Sequence, residues 1–223
     1  MFVTPGSQTI EANSLTAQTP SIAELHVGDD PSAWKRAGFR INDGRCVVGT
    51  TEIVFSDGPK GIHSWVLRHS LPSQFGSIPT TFTEKPVPER SIAHPNGSIG
   101  FHHVVLMVPE FALGKTALTG AGVQVEDGRI FGSPEKEMLR SAPKMGDIEL
   151  ELIGPKNEDR SRNWDLWGLV IAVDDIDATS ELLGDLLGQV KPAVQPHRRI
   201  ATLKKEAELG VAIAFLGPKE CHE

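Results

Sequence analysis

The sequence predicts an α+β protein assembled from repeated β-α-β-β-β units, and three observations carry that reading. Residues 100–155 and 164–218 follow one plan: each opens with an apolar strand running straight into a helical stretch, and each closes on a strand followed by Gly-Pro. The two closing strands alternate strictly, with Ile148, Leu150 and Leu152 on one face of the first and Val211, Ile213 and Phe215 on one face of the second. That is the pattern of half-buried antiparallel strands. A shorter version of the plan precedes both at residues 21–70.

Taken in order, residues 1–20 are rich in Ser, Thr and Gln and read as a flexible tail. They lack the basic start and apolar stretch of a secretory signal. Residues 22–27 (IAELHV) form a strand, after which Asp29 or Asp30 can cap a helix with Pro31 at its first position. Residues 45–55 and 62–69 supply the remaining strands of this N-terminal unit, with one strand missing or fused. A Pro/Ser/Thr-rich linker covers 71–99. The second unit opens with FHHVVLMV (101–108), continues with a helical stretch at 109–123 and strand-like pieces at 124–125 and 137–140, and closes with DIELELIGP (147–155). The third opens with WGLVIAV (167–173). A helix at 174–188, two strands within 190–206 and a closing strand at 210–218 follow. Only about ten residues join these two units, a length that favours packing them together as a central pair.

A chain of 223 residues holds one large domain or two small ones. No apolar run reaches the roughly 20 residues that a membrane helix needs. A net charge of −7 argues against nucleic acid and anionic membranes as partners, because both attract basic faces. The two cysteines, Cys46 and Cys221, form no CxxC or zinc pattern. They read as free thiols of a cytoplasmic, reducing environment. GxSxG, P-loop, GxGxxG and HExxH motifs are all absent, so no nucleotide cofactor is expected.

Repeated units with an apolar opening strand and an ELxxGP-type closing strand resemble the vicinal oxygen chelate superfamily, which includes glyoxalases, bleomycin-resistance proteins and extradiol dioxygenases. The resemblance implies a curved, partly closed mixed sheet around a cup, here with an extra N-terminal partial unit. It also implies a divalent metal held by the opening and closing strands. His103 and Glu151 match the ligand positions in the second unit. An imidazole and a carboxylate suit Fe, Mn, Zn, Ni or Co, which would polarise a substrate oxygen. The third unit departs from the pattern, with Gly168 and Ala214 at the equivalent places. Alternation puts Glu24 and His26 on one face of the first strand, where either could complete a two-His, one-carboxylate site.

Other residues bear on the same cup. His102 and His103 are neighbours on a strand and should point to opposite faces, so at least one of them is not a ligand. Glu149 and Glu151 share a face, which is either a solvated outer face or a cup-lining pair. In the second case one is a ligand and the other a general base with a raised pKa. The small residues Gly168, Ala212 and Ala214 allow close backbone packing, or else hollow out room for a ligand beside Trp164, Trp167 and Phe215. Arg198 and Arg199 should point to opposite sides. One would be solvated, while the other would pair with Glu149 or Glu151 or grip a substrate carboxylate or phosphate. His63, His94 and His197 are held in reserve. The expected function is a metal-assisted lyase, isomerase or dioxygenase acting on a small oxygen-bearing molecule. The alternatives are a metal-free protein that binds or sequesters a small molecule, and metal-free acid–base catalysis by the same carboxylates. Open sheet edges make a homodimer an expected assembly.

Overall fold

Alternation sets the strands of the C-terminal half, and their pairing builds the unit plan twice. These features come from a computed structural model that describes residues 19–88, 92–133 and 137–220. Most of the expected tail and Cys221 fall outside those residues. In the first full unit, β6 (Ser98–Met107) leads into α2 (Phe111–Gly120). Strands β7 (Arg129–Phe131), β8 (Met138–Ser141), β9 (Lys144–Met145) and β10 (Ile148–Pro155) follow. In the second, β11 (Asp165–Val173) leads into α3 (Ile176–Leu183), then β12 (Lys191–Pro192), β13 (Arg199–Thr202) and β14 (Ala212–Leu216). Residues 124–125 form no strand, and β7 begins a few residues later.

Each closing strand lies parallel to its own opening strand, with Glu149 opposite His103 and Ala212 opposite Gly168. The two opening strands pair antiparallel, with Val104 opposite Leu169. The half therefore runs β7-β8-β10-β6-β11-β14-β13-β12. Val104, Leu106, Leu150, Leu152, Leu169, Ile171, Ile213 and Phe215 are buried on one face of this mixed sheet. Helix α2 covers that face closely: a Cβ on Gly114 would meet Leu152 Cδ1 at 2.5 Å. The Asp175 carboxylate caps α3 by accepting from the Asp177 and Ala178 N–H groups. The opposite face carries His103, Glu149 and Glu151.

The N-terminal half differs from a single partial unit. It contains β1 (Ser21–Val27), α1 (Pro31–Arg36), β2 (Arg45–Val48), β3 (Thr51–Phe55), β4 (Ile62–Arg68) and β5 (Thr80–Thr83). Asp30 caps α1 with Pro31 at its first turn. The run at 45–55 is a hairpin, turned at Gly49 with φ of +61°. Strand β3 takes the closing place, parallel to β1. Strand β4 lies antiparallel to β1, as β11 does to β6, and β5 runs parallel to β4 from within the expected linker. The N-terminal half thus repeats the paired plan in shortened form, its second unit reduced to opening and closing strands.

The halves meet where Ile62 of β4 pairs with Leu166 of β11, and their apolar residues form one continuous core. Asp29 is a buried junction: its carboxylate accepts from the Trp34 indole N–H at 3.0 Å and from the Gly61 and Gly210 backbone N–H groups, each at 2.9 Å. No helix among the described residues is long and apolar enough to cross a membrane.

Candidate metal centre and cleft

Strict alternation would separate His102 from His103, and the structure corrects that expectation. Between Val170 and Ile171 of β11 the register on β6 skips from His103 to Phe101, so His102 is the extra residue of a β-bulge. A bulge re-aims side chains locally. Here the two rings meet edge-on with centroids 4.5 Å apart, and their Nδ1 atoms lie 2.6 Å from each other. Glu149, opposite His103 on β10, brings Oε2 to 3.6 Å from His103 Nδ1. One ligand atom from each of His102, His103 and Glu149 lies within 4.8 Å of the others, the only such group of three or more among the described residues.

Two further side chains brace this group. The Lys144 ammonium donates to Glu149 Oε1 at 2.9 Å, and Gln195 Nε2 lies 3.1 Å from His103 Nε2. Burial alone would raise the Glu149 carboxyl, but the Lys144 hydrogen bond and charge, with the two histidines, hold it below its ordinary value. Glu149 is therefore an ionised acceptor, not the raised-pKa base expected from a dry site. Burial lowers the His102 pKa, with His103, Arg198 and Lys144 adding to the effect against the pull of Glu149. His102 is held neutral, with a lone pair to offer.

A cleft of about 370 Å³ opens beside the group. Its walls include His102, Lys144, Arg198 and Lys219, together with Asp147 and Asp174. Asp147 accepts from the Thr50 hydroxyl, and Asp174 accepts from the Asp175 N–H. Arg198 has one guanidinium nitrogen on Gly217 O at 3.0 Å.

Other sequence-derived candidates lie elsewhere. Glu151 faces the same way as Glu149 but is held by Arg140 at 3.2 Å and is not a member of the group. Glu24 and His26 share a face of β1, as alternation requires, and bond to each other at 3.0 Å. Arg45 bridges Glu24 to Glu52, so these charges are satisfied within the N-terminal half. Arg199 does not reach Glu149 or Glu151, because it makes a double contact with Asp177 and a further one with Glu220. Gly168 packs closely: a Cβ there would sit 3.0 Å from Ala212 O. Ala214 stands opposite Val170. Trp167 is 53% exposed at a second register shift and lies outside the cleft lining. Among the reserves, His63 bonds Ser56 and His94 is a buried structural tie. Sequence reading passed over Lys144, Gln195 and Lys219. Only the Glu-rich closing strand hinted that a cation would be needed nearby.

Two imidazole nitrogens and a carboxylate form a donor set that fits a divalent transition metal. Residues from β6 and β10 provide it, and the other unit provides none of the three.

No protein-family model matches the chain, and no curated protein matches it in sequence. Among solved structures, the chain is similar to a xylose isomerase-like TIM barrel/4-hydroxyphenylpyruvate dioxygenase fusion protein, with a TM-score of 0.55 and 13% identity. The match covers 96% of this chain and 52% of that one. Methylmalonyl-CoA epimerase from Mycobacterium tuberculosis matches over 56% of this chain and 91% of its own, at 16% identity and a TM-score of 0.42. The fusion-protein match spans both halves and shows the fold: a curved, open mixed sheet with few helices.

Proposed function

We propose that this chain is an enzyme of the vicinal oxygen chelate superfamily acting on a small, anionic, oxygen-bearing molecule. The observation that carries the reading is the convergence of His102, His103 and Glu149 beside a cleft lined by Lys144, Arg198 and Lys219 as well as Asp147 and Asp174. These three residues would hold a divalent metal. When bound, the metal would supply Lewis acidity for an oxygen of the substrate. Arg198 and Lys219 would bind an anionic group and orient the molecule. Glu151, the remaining carboxylate on that face and paired with Arg140 at 3.2 Å, would move a proton. Isomerisation or elimination next to a carbonyl suits these parts best. A dioxygenase remains the outcome if the ion is iron.

The contact between Lys144 and Glu149 supports a second reading, because an ammonium already compensates the carboxylate that a metal would neutralise. On that reading the cleft binds an organic anion without metal.

Elemental analysis of protein prepared without a metal-binding tag, followed by titration with Fe(II), Mn, Co, Ni and Zn, separates the two. The enzyme reading expects close to one equivalent of metal, lost in His103→Ala and Glu149→Gln and retained in Glu151→Gln, with circular dichroism unchanged in all. Absence of binding for every ion would sink it and leave the metal-free reading.

A further inference from the structure

We propose that Gln195 is a positioning residue that selects which nitrogen of His103 carries its proton. It thereby decides whether both Nδ1 atoms can offer lone pairs beside Glu149. The purpose of this control rests on the metal-centre reading above, but its geometry does not.

A neutral imidazole has one donor nitrogen and one acceptor. The Gln195 amide nitrogen lies 3.1 Å from His103 Nε2, and an amide N–H can only donate. With the carboxamide in this orientation the ring nitrogen facing it accepts, which puts the ring's single proton on Nδ1. From there the proton faces His102 Nδ1 at 2.6 Å and Glu149 Oε2 at 3.6 Å. His102 accepts at Nδ1 and keeps its own proton on Nε2. The result is a chain of donors running from Gln195 through His103 to His102.

Metal ligation at His103 Nδ1 requires that nitrogen to be free of its proton. The proton must then sit on Nε2, where an acceptor is needed. A half-turn of the Gln195 carboxamide puts Oε1 in place of Nε2 with little change of shape. Gln195 can therefore serve both states, whereas Leu serves neither and Glu only the second. Ligating histidines commonly depend on such a partner at the remote nitrogen.

The backbone holds Gln195 firmly for this task. It sits in the connection between β12 and β13, where Ala193 N–H donates to Arg198 O at 2.9 Å and Arg198 N–H donates to Gln195 O at 3.3 Å. Glu220 N–H ties the same turn at His197 O, at 2.7 Å. The unit with Gly168 and Ala212 at the equivalent ligand positions thus reaches across to control the ligand of its neighbour.

Long-range proton–nitrogen correlation spectra of the metal-free protein at about pH 8, where histidines are neutral, test this directly. The His103 signals would be assigned by their loss in His103→Asn. The wild type should show the proton on Nδ1, Gln195→Glu should move it to Nε2, and Gln195→Leu should give a mixture. A wild-type proton on Nε2, or the same pattern in all three proteins, would overturn the proposal. Nickel(II) titration reads the consequence: Gln195→Leu should bind about 10–100-fold more weakly, and Gln195→Glu should not. Unchanged affinity in Gln195→Leu would overturn the control of metal binding. No binding even in the wild type would count against the metal centre, while the tautomer result would still judge Gln195.

Discussion

A histidine hydrogen-bonded at both ring nitrogens, as acceptor on one side and donor on the other, keeps both bonds only while neutral. His94 accepts from the Arg40 N–H at Nδ1 (3.0 Å) and donates from Nε2 to Val47 O (2.8 Å). Burial pushes its pKa below the ordinary value. A depressed histidine pKa adds stability that is fully present above the unfolded value of about 6.5 and is lost as pH falls through the folded value. His94→Ala leaves the Arg40 N–H and Val47 carbonyl without their partner, at a cost of roughly 2–4 kcal/mol near neutral pH. The variant should also lose less stability than the wild type between about pH 7 and 5. Urea denaturation at a series of pH values checks both, and parallel curves would refute the assignment. At this scale the sequence showed part of the site. His103 was expected from its place on the opening strand. The closing-strand ligand was expected at Glu151, with Glu149 as a proton-moving neighbour on the same face, whereas Glu149 is the carboxylate that joins the group. The role of His102 could not be found, because alternation is the rule that a bulge breaks. Gln195 was equally hidden, since nothing local marks a loop amide whose partner is 92 residues away.

Among elements, legibility followed length. Closing strands β10 and β14 run long enough for period-two alternation to be unmistakable, whereas β7 and β12 have only three and two residues and carry no period. Strand β4 was visible but its partner was not: pairing with β1 as an opening strand is a tertiary choice that local pattern leaves open. The small residues of the last unit could mean a hollow or close packing, and the observed register favours packing. A Cβ on Gly168 would sit 3.0 Å from the Ala212 carbonyl oxygen and 3.3 Å from its Cβ. Both belong to the neighbouring strand, and the oxygen is backbone. Gly168→Ala should therefore destabilise by about 1 kcal/mol, since β11 and β14 must part slightly. A stabilised variant, read as a raised thermal midpoint, would mean that the space is a true hollow.

Over the whole molecule, two truncated units and two complete ones share a core, but their ligand-facing sides have different fates. In the N-terminal half, Glu24 contacts His26, and Arg45 bridges Glu24 to Glu52, so these side chains are tied to one another. In the C-terminal half, one ligand atom from each of His102, His103 and Glu149 lies within 4.8 Å of the others. Repetition therefore supplies two halves of one sheet, of which one satisfies its own charges and the other carries the candidate centre. Their alignment depends on a few polar ties, and Asp29 is the most buried of the carboxylates that make them. It joins the end of β1 and helix α1 to Gly61 before β4 and to Gly210 before β14. Charged acceptors with three N–H donors contribute more than neutral pairs, and each orphaned donor costs free energy in a buried setting. Asp29→Ala should lower stability by roughly 3–5 kcal/mol. Because Gly210 leads into β14, which pairs directly with β11, the loss should also reach the candidate centre. Metal affinity should fall together with the urea midpoint, although Asp29 touches none of the three donor residues. A lower midpoint with unchanged affinity would show that the C-terminal half holds its geometry by itself, and that the N-terminal half contributes stability without shaping the site.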